Sequence, residues 1–473
     1  MRQIRLFSRY INASYLLLAG LEFAVLMAAA YTAVLLRFRG DSVALQVNMQ
    51  GALPAFAGFA VTLGLMAFAM RVYSARFKEG HIGMALRTLV AYFLLGGSVL
   101  LALQLLLPVM FMGEGVLGLA LPIALAYVTL LRWLFFSAAD DRKLAQRTVV
   151  LGAGQRAKVL LDKLGGAHIP GLEICGFIAE SSSEAQIPAH MVLEPQGKSL
   201  LQLVRAKDVS EIGVALDEQR SAEGGHFPLD ELLDCKLDGI QVTEIVSFLE
   251  RELEKVEIDL LRPSWLVFSG GFRVSTRRDL AKRGFDLLAA ITLLAAAWPF
   301  MLLTALAIWV ESGFRGPILY RQERTGFNGR GFMLVKYRSM RTDAEVEGRA
   351  VWAKANDDRV TRVGRFIRAS RLDELPQLWN IVKGDMSFIG PRPERPQFVE
   401  QLAAQIPYFN ERHRVKPGLA GWAQLCFPYG ASVEDAAEKL RYDLYYIKNH
   451  SILMDLLILV QTVEVVLVGK GVR

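Results

Sequence analysis

Apolar residues gather in four long N-terminal runs, at about 13–36, 53–70, 85–112 and 115–136. Each approaches or exceeds the roughly 20 residues needed to span a bilayer. The pattern predicts a four-helix transmembrane region over residues 1–140. A cleavable leader is not expected, because the first run is long and no small-residue cleavage site follows it. Arg71, Arg76, Lys78 and Arg87 lie between the second and third runs, and Arg142, Lys143 and Arg147 follow the fourth. Arg37 and Arg39 are the only opposing positives, so the charge rule predicts both ends of the unit in the cytosol.

From Arg147 the period changes. RTVVLGAGQRAKVLLDKL reads as a short strand, a glycine turn and an amphipathic helix. Strand-like runs at Ile174–Ile178 and Ile212–Ala215 alternate with helical stretches at Leu200–Arg205 and Leu229–Leu237, which predicts a Rossmann-like α/β domain over 145–262. Gly152, Gly154 and Ala157 form a GxGxxA turn able to admit a pyrophosphate, and Glu180 beyond the next strand is placed to hold a ribose hydroxyl. A lone turn of this kind is more often only a strand-to-helix connection. The favoured reading is therefore a regulatory or dimerising domain without nucleotide, compatible with a homodimer.

A linker is expected over 263–280, then the apolar stretch Phe285–Val310 with Pro299 near its middle. Lys282 and Arg283 precede it; Arg315, Arg321 and Arg324 follow. A full crossing would break the charge rule, and proline breaks the helical ladder, so a re-entrant helix over about 285–311 is predicted. It opens an α/β, mostly helical, catalytic domain over 281–473. The last apolar run, SILMDLLILVQTVEVVLVG, carries Asp455, Gln461 and Glu464 and reads as an interfacial or core amphipathic helix rather than a span.

Composition agrees. The hydrophobic fraction is 53% and the mean hydropathy +0.30, as membrane segments require. The net charge of +7 suits an anionic membrane surface or phosphorylated ligands as well as nucleic acid; with the motifs below, no nucleic-acid partner is expected. Cys175, Cys235 and Cys426 stand far apart without metal-ligand spacing, which argues against a disulfide framework or structural zinc.

Candidate chemistry concentrates between Arg362 and Pro393. Asp373 and Glu374 stand side by side, preceded by Arg362, Arg365, Arg368 and Arg371 at every third position. Pro376 is tolerated in a first helical turn, so Asp373 is expected at or near an N-cap, where free N–H groups and the helix dipole favour an anion. The expected result is a low-pKa carboxylate in a basic nest, suited to phosphate, a divalent metal or nucleophilic attack. The plainer alternative is a helix cap beside a solvated arginine face.

KRGFDLLAA, GPILYRQERTG, KYRSM, LDELPQLWN, GDMSFIGPRP, KPGLAGWAQ and YDLYYIKN, in this order, resemble the bacterial sugar transferase family. These are the polyprenyl-phosphate hexose-1-phosphate transferases of monotopic type, whose long members share the layout predicted above. The resemblance spans Lys282 to Arg473. FIRASRLDELPQ and PRPERPQFVE are similar to the exosortase-associated exopolysaccharide branch. The resemblance implies transfer of sugar-1-phosphate from a UDP-sugar to undecaprenyl phosphate, with release of UMP, beginning exopolysaccharide synthesis. It implies Mg²⁺ as cofactor and a bacterial inner membrane location, with the catalytic domain and both termini cytoplasmic. Carried over, Asp373 is the nucleophile of a phosphosugar-aspartyl intermediate, and Glu374 holds the metal with it or assists the second step. Lys336, Arg368, Arg392 and Arg412 match basic positions that grip phosphate, and Gln424 and Asp443 match further polar positions; Arg338 joins Lys336 on a glycine-punctuated basic stretch, 316–340, suited to a phosphate-facing edge. Arg371 and Ala420 depart from the family pattern. Two rivals stand beside this: a non-enzymatic membrane scaffold, and a nucleotide-sugar oxidoreductase, which lacks the Tyr-x-x-x-Lys pair such enzymes use.

Overall fold

A computed structural model of the chain describes residues 3–6, 9–70, 72, 80–138, 146–164, 172–179, 186–194, 197, 199–217, 227–261, 276–342, 344, 358–427, 430 and 432–468. Glu180, most of the expected linker, and Arg71, Arg76, Lys78, Arg142 and Lys143 lie outside them. The chain divides into two compact units, Met1–Ile245 and Val246–Arg473.

In the first unit, α1 (Ala13–Arg37) is followed by a short helix, Ser42–Met49, bent 68° from the helix after it. That next helix is α2 (Leu53–Ala69). Next comes α3, which runs from Gly80–Leu89 through a π-helical stretch, Val90–Gly96, into Gly97–Leu106. The last of the group is α4 (Val116–Ala138). Their outer faces carry exposed Leu105, Leu106 and Trp133, the reverse of a soluble surface. The chain has, among its described residues, four helices long and apolar enough to cross a membrane, or five if the bent pair is one span. It is a membrane protein. One buried ion pair crosses this apolar interior: Arg132 donates to both carboxylate oxygens of Glu22 at 2.6 and 2.9 Å and to the Thr88 hydroxyl at 2.5 Å.

The α/β part has five parallel strands: β1 (Gln146–Leu151), β2 (Leu172–Ile178), β3 (Val192–Leu193), β4 (Glu211–Val214) and β5 (Gln241–Glu244). Their order is β3-β2-β1-β4-β5. Central β1 buries Val149, Val150 and Leu151, the continuous apolar run expected of a strand covered on both faces. The intervening helices are α5 (Gln155–Leu164), α6 (Leu200–Ala206) and α7 (Leu229–Leu237), as the sequence predicts.

The second unit starts within the helix Ile245–Leu253. Residues 246–261 are fastened by charge to α11 (Val433–Asn449). Lys448 donates to Glu250 at 2.6 Å, Lys255 to Glu438 at 2.6 Å, and Arg441 to Asp259 at 2.6 Å. The Trp422 indole N–H reaches the Glu254 carbonyl at 2.9 Å.

A single 36-residue helix follows, α8 (Thr276–Glu311), with Pro299 inside it. It starts earlier than the apolar run because a polar first turn extends it. Its middle is exposed at Ile291, Trp298, Phe300 and Leu303, while both ends are docked. Arg283 donates to the Ile381 and Val382 carbonyls at 2.6 and 2.7 Å; near the other end, the Met301 carbonyl accepts from Tyr337 at 2.9 Å. An antiparallel hairpin, β6 (Leu319–Thr325) and β7 (Gly331–Tyr337), comes next. Then follow α9 (Arg362–Ala369) and α10 (Gln377–Lys383). A two-stranded parallel pair, β8 (Ser387–Ile389) and β9 (Gly418–Ala420), precedes α11, and α12 (Ile452–Val468) closes the described chain. In α12 Asp455 is buried, so this end of the helix is core rather than surface.

Candidate active site

The carboxylate pair is aimed by its flanking backbone. Thr361 caps α9, its hydroxyl accepting from the Gly364 N–H at 2.9 Å. Ile367 packs with Ile308 and Tyr337, turning the arginine face outward. A Cβ on Gly364 would lie 1.9 Å from the Ser339 carbonyl, so only glycine lets α9 approach this closely. Arg371 then adopts a left-handed conformation, φ 59°, which ends α9 and starts a single tight turn, Leu372–Glu374. Pro376 caps α10. Asp373 therefore lies near the N-cap, in the tight turn just before it, because the left-handed Arg371 inserts that turn.

The charge balance of the pair differs from expectation. Burial pushes the Asp373 carboxyl up to about 6, with Glu374 adding to the rise and Lys336, Arg392 and Arg368 opposing it. Glu374 is the depressed member. Burial works against its ionised form, but Arg392, donating at 3.1 Å, and Arg371, at 3.5 Å, outweigh it and hold its carboxyl below the ordinary value. Two adjacent carboxylates with opposed environments are a usual sign of divided roles.

Lys336 on β7 faces the pair. Burial, helped by Arg324, lowers its ammonium to about 8, and it stands 5.4 Å from the Tyr320 ring. Asn380 of α10 fixes this strand: its amide accepts from Val335 N–H at 3.1 Å and donates to the Met333 carbonyl at 2.8 Å. Arg368 adds positive charge on the Asp373 side. Arg392 is delivered by the turn Gly390-Pro391-Arg392-Pro393. Gly390 is required there, since a Cβ would stand 2.3 Å from the Lys416 carbonyl.

Other predicted residues are placed differently. Arg412 is buried; it donates to Asp443 at 2.8 Å and to the Arg392 carbonyl at 3.0 Å. Burial raises the Asp443 carboxyl to about 6 against the pull of Arg412. Arg338 turns to the Ser312 hydroxyl at the end of α8. Gln424 donates weakly to the Leu419 carbonyl at 3.4 Å. Sequence reasoning did not place in the site Arg324, which donates to the Pro393 carbonyl at 3.2 Å, or Asn380. The only signal for either was its place inside a quoted motif.

Among the described residues no group of three or more His, Cys, Asp or Glu side chains is placed to hold a metal. Two adjacent carboxylates do fit Mg²⁺, which is usually held by one or two carboxylates with water and substrate phosphates completing its shell.

The glycine turn of the α/β domain lies at the switch point between β1 and β4, where dinucleotides bind in such sheets. Here Asp217, just beyond β4, occupies that place. Its carboxylate accepts from the Gln155 and Arg156 N–H groups at 2.7 and 2.8 Å. A Cβ on Gly154 would lie 2.0 Å from one of its oxygens. Ala157 is buried in α5 behind the turn. The N–H groups that would receive a phosphate already hold an internal anion.

The family model described as bacterial sugar transferase matches residues 277–469. UDP-N-acetylgalactosamine-undecaprenyl-phosphate N-acetylgalactosaminephosphotransferase of Aeromonas hydrophila is 43% identical over 242 residues, 51% of this chain and 56% of that protein. Undecaprenyl-phosphate glucose phosphotransferase of Komagataeibacter xylinus is 44% identical over 190 residues, 39% of this chain and 35% of that protein. Undecaprenyl-phosphate galactose phosphotransferase of Salmonella typhimurium is 31% identical over 348 residues, 69% of each chain. The chain thus spans about half of the Aeromonas relative (56%) and about a third of the Komagataeibacter one (35%).

Proposed function

The chain belongs to the bacterial sugar transferase family, and on that premise we propose that it transfers sugar-1-phosphate from a UDP-sugar to undecaprenyl phosphate, releasing UMP. The product begins an exopolysaccharide at the inner membrane. The observation that carries this reading is the split pair: Asp373 buried among cations and Glu374 tied to Arg392.

With its carboxyl near 6, Asp373 is mostly ionised at neutral pH yet poorly solvated, as a nucleophile should be. Its oxygen attacks the phosphorus bearing the sugar. The bond from that phosphorus to the bridging oxygen breaks, and UMP leaves with the electron pair. The phosphosugar is then held on Asp373. An oxygen of the lipid phosphate attacks the same phosphorus and displaces the carboxylate, so neither water nor an external acid enters the balance. Lys336, Arg368 and Arg392 surround the phosphoryl oxygens; arginine suits this because its planar fork donates two hydrogen bonds at once. Asp373 and Glu374 would hold Mg²⁺, which supplies charge neutralisation for the diphosphate. Arg412 and Asp443 act one step back, by holding the Arg392 backbone.

The acceptor's phosphate lies at headgroup level, so the site must stand at the membrane surface. A straight helix of the length of α8 would reach about 54 Å. Docking of both its ends on one domain suits a helix that bends at Pro299 and returns to the leaflet it entered, with the catalytic residues and both termini on the cytoplasmic side.

The test is UMP release in membranes supplied with individual UDP-sugars and undecaprenyl phosphate. Wild-type protein should release UMP with at least one sugar and acquire a phosphosugar adduct at Asp373; Asp373→Asn should lose at least ~1,000-fold. Full-speed lipid loading by Asp373→Asn would overturn the assignment.

A further inference from the structure

One turn of α8, outside the carboxylate site, grips both of its walls. Arg283 donates to the Ile381 and Val382 carbonyls at 2.6 and 2.7 Å, capping the C-terminus of α10, the helix that follows Asp373 and Glu374. On the neighbouring face, Asp286 accepts from the Ser387 hydroxyl at 3.0 Å and the Phe388 N–H at 3.1 Å. Lys282, four residues earlier and so on the same face as Asp286, donates to the Ile389 carbonyl at 3.2 Å. These three contacts hold β8, whose last residue leads directly into Gly390-Pro391-Arg392.

Lys282 is itself fixed from behind. Its ammonium lies 2.7 Å from Asp455 of α12, and the Tyr446 hydroxyl lies 2.7 Å from the other oxygen of Asp455 and 3.1 Å from the same Ile389 carbonyl. Asp286, Asp455 and Tyr446 are each at most 2% exposed. A Lys–Asp pair spaced by four on a helix ordinarily forms a bridge on the helix surface. Here each member turns inward to a different group, and no sugar or phosphate needs to touch either.

We propose that Lys282, fixed by Asp455 and Tyr446 and acting with Arg283 and Asp286, is a positioning residue that sets the separation between Glu374 and Arg392. The inference rests on the transfer reaction proposed above. It adds that the first turns of the apolar helix are part of the reaction's geometry, not only a membrane anchor. Arg283 fixes the carboxylate wall and Lys282 the arginine wall, so both walls refer to one rigid helical turn. Loosening Lys282 removes no substrate-facing side chain but lets the turn that carries Arg392 drift. Small misplacements of a phosphate-gripping group act mainly on the transition state.

The experiment uses the full-length protein in nanodiscs, with Lys282→Met, Lys282→Arg, Asp455→Asn, Arg392→Ala and the double variant Lys282→Met/Arg392→Ala. Lys282→Met should lower kcat by about 10- to 100-fold with KM for the UDP-sugar within about twofold, and Lys282→Arg should recover part of the loss. In the Arg392→Ala background Lys282→Met should cost little more, because both changes disable the same group. Independently of activity, hydrogen exchange at residues 387–392 should rise in Lys282→Met and Asp455→Asn while that of β1 stays unchanged. Losses that add fully, or exchange at 387–392 like that of wild type, would overturn the positioning role. If wild-type protein releases no UMP with any UDP-sugar, the transfer reading fails and the exchange measurement alone decides whether Lys282 holds this turn.

Discussion

Arg412 donates to Asp443 at 2.8 Å and spends a second hydrogen bond, at 3.0 Å, on the backbone carbonyl of Arg392. The buried pair therefore acts on the site through the main chain. Arg412→Ala should strand the Asp443 carboxylate and cost about 3–5 kcal/mol. Arg412→Met with Asp443→Asn should regain most of that stability without regaining activity, because the Arg392 carbonyl stays unheld. Thermal unfolding and UMP release on the same samples check both halves.

The activity should follow a bell-shaped pH profile. Below about 6 Asp373 is protonated and cannot attack, and above about 8 Lys336 loses its charge. The limbs belong to coupled groups, so each reports the cluster rather than one residue. Lys336→Arg should carry the alkaline limb upward by more than one pH unit, since a guanidinium stays charged. An alkaline limb that does not move would remove Lys336 from the reaction.

The α/β domain should not bind a dinucleotide. Titration with NADH, followed by fluorescence, should give no saturable signal with the wild-type protein, because Asp217 holds the Gln155 and Arg156 N–H groups. Asp217→Ala should cost about 1 kcal/mol as a lost helix cap. Tight NADH binding by wild type would reverse this reading and reopen the oxidoreductase alternative.

The Glu22–Arg132 pair should behave as a structural staple among the membrane helices. Removing either partner breaks a buried ion pair, at about 3–5 kcal/mol. Glu22→Gln with Arg132→Met should restore most of the yield of folded protein in detergent, as measured by size-exclusion profile.

Long-period features were the most legible in the sequence. The apolar runs, the strands β1, β2 and β4, and the α7 boundaries Leu229–Leu237 follow from hydrophobic spacing alone, whereas the short β3 and β5 carry no such signal. The carboxylate pair was visible because two acids beside a proline-started helix are conspicuous. Its protonation balance was not. Burial of Asp373 and the reach of Arg392 to Glu374 depend on residues eighteen apart in the chain, which no local pattern reports. Asp217 was hidden for the same reason: an acid 62 residues from Gln155 becomes its nearest anion only once β1 and β4 pair. Asp455 could be seen to interrupt an apolar run, but Lys282 as its partner could not.

The charged collar formed by residues 246–261 bears on where this protein can be cut. The family match starts at residue 277, an inviting place to begin a shortened catalytic piece. Such a piece would discard Glu250, Glu254, Glu257 and Asp259 while keeping Lys448, Trp422 and Arg441, the groups they satisfy. One flank of α11, two residues from Asp443, would then lose carboxylates that face Lys448 and Arg441, and the Trp422 indole N–H would lose the Glu254 carbonyl. A fragment meant to retain native chemistry should begin ahead of Val246.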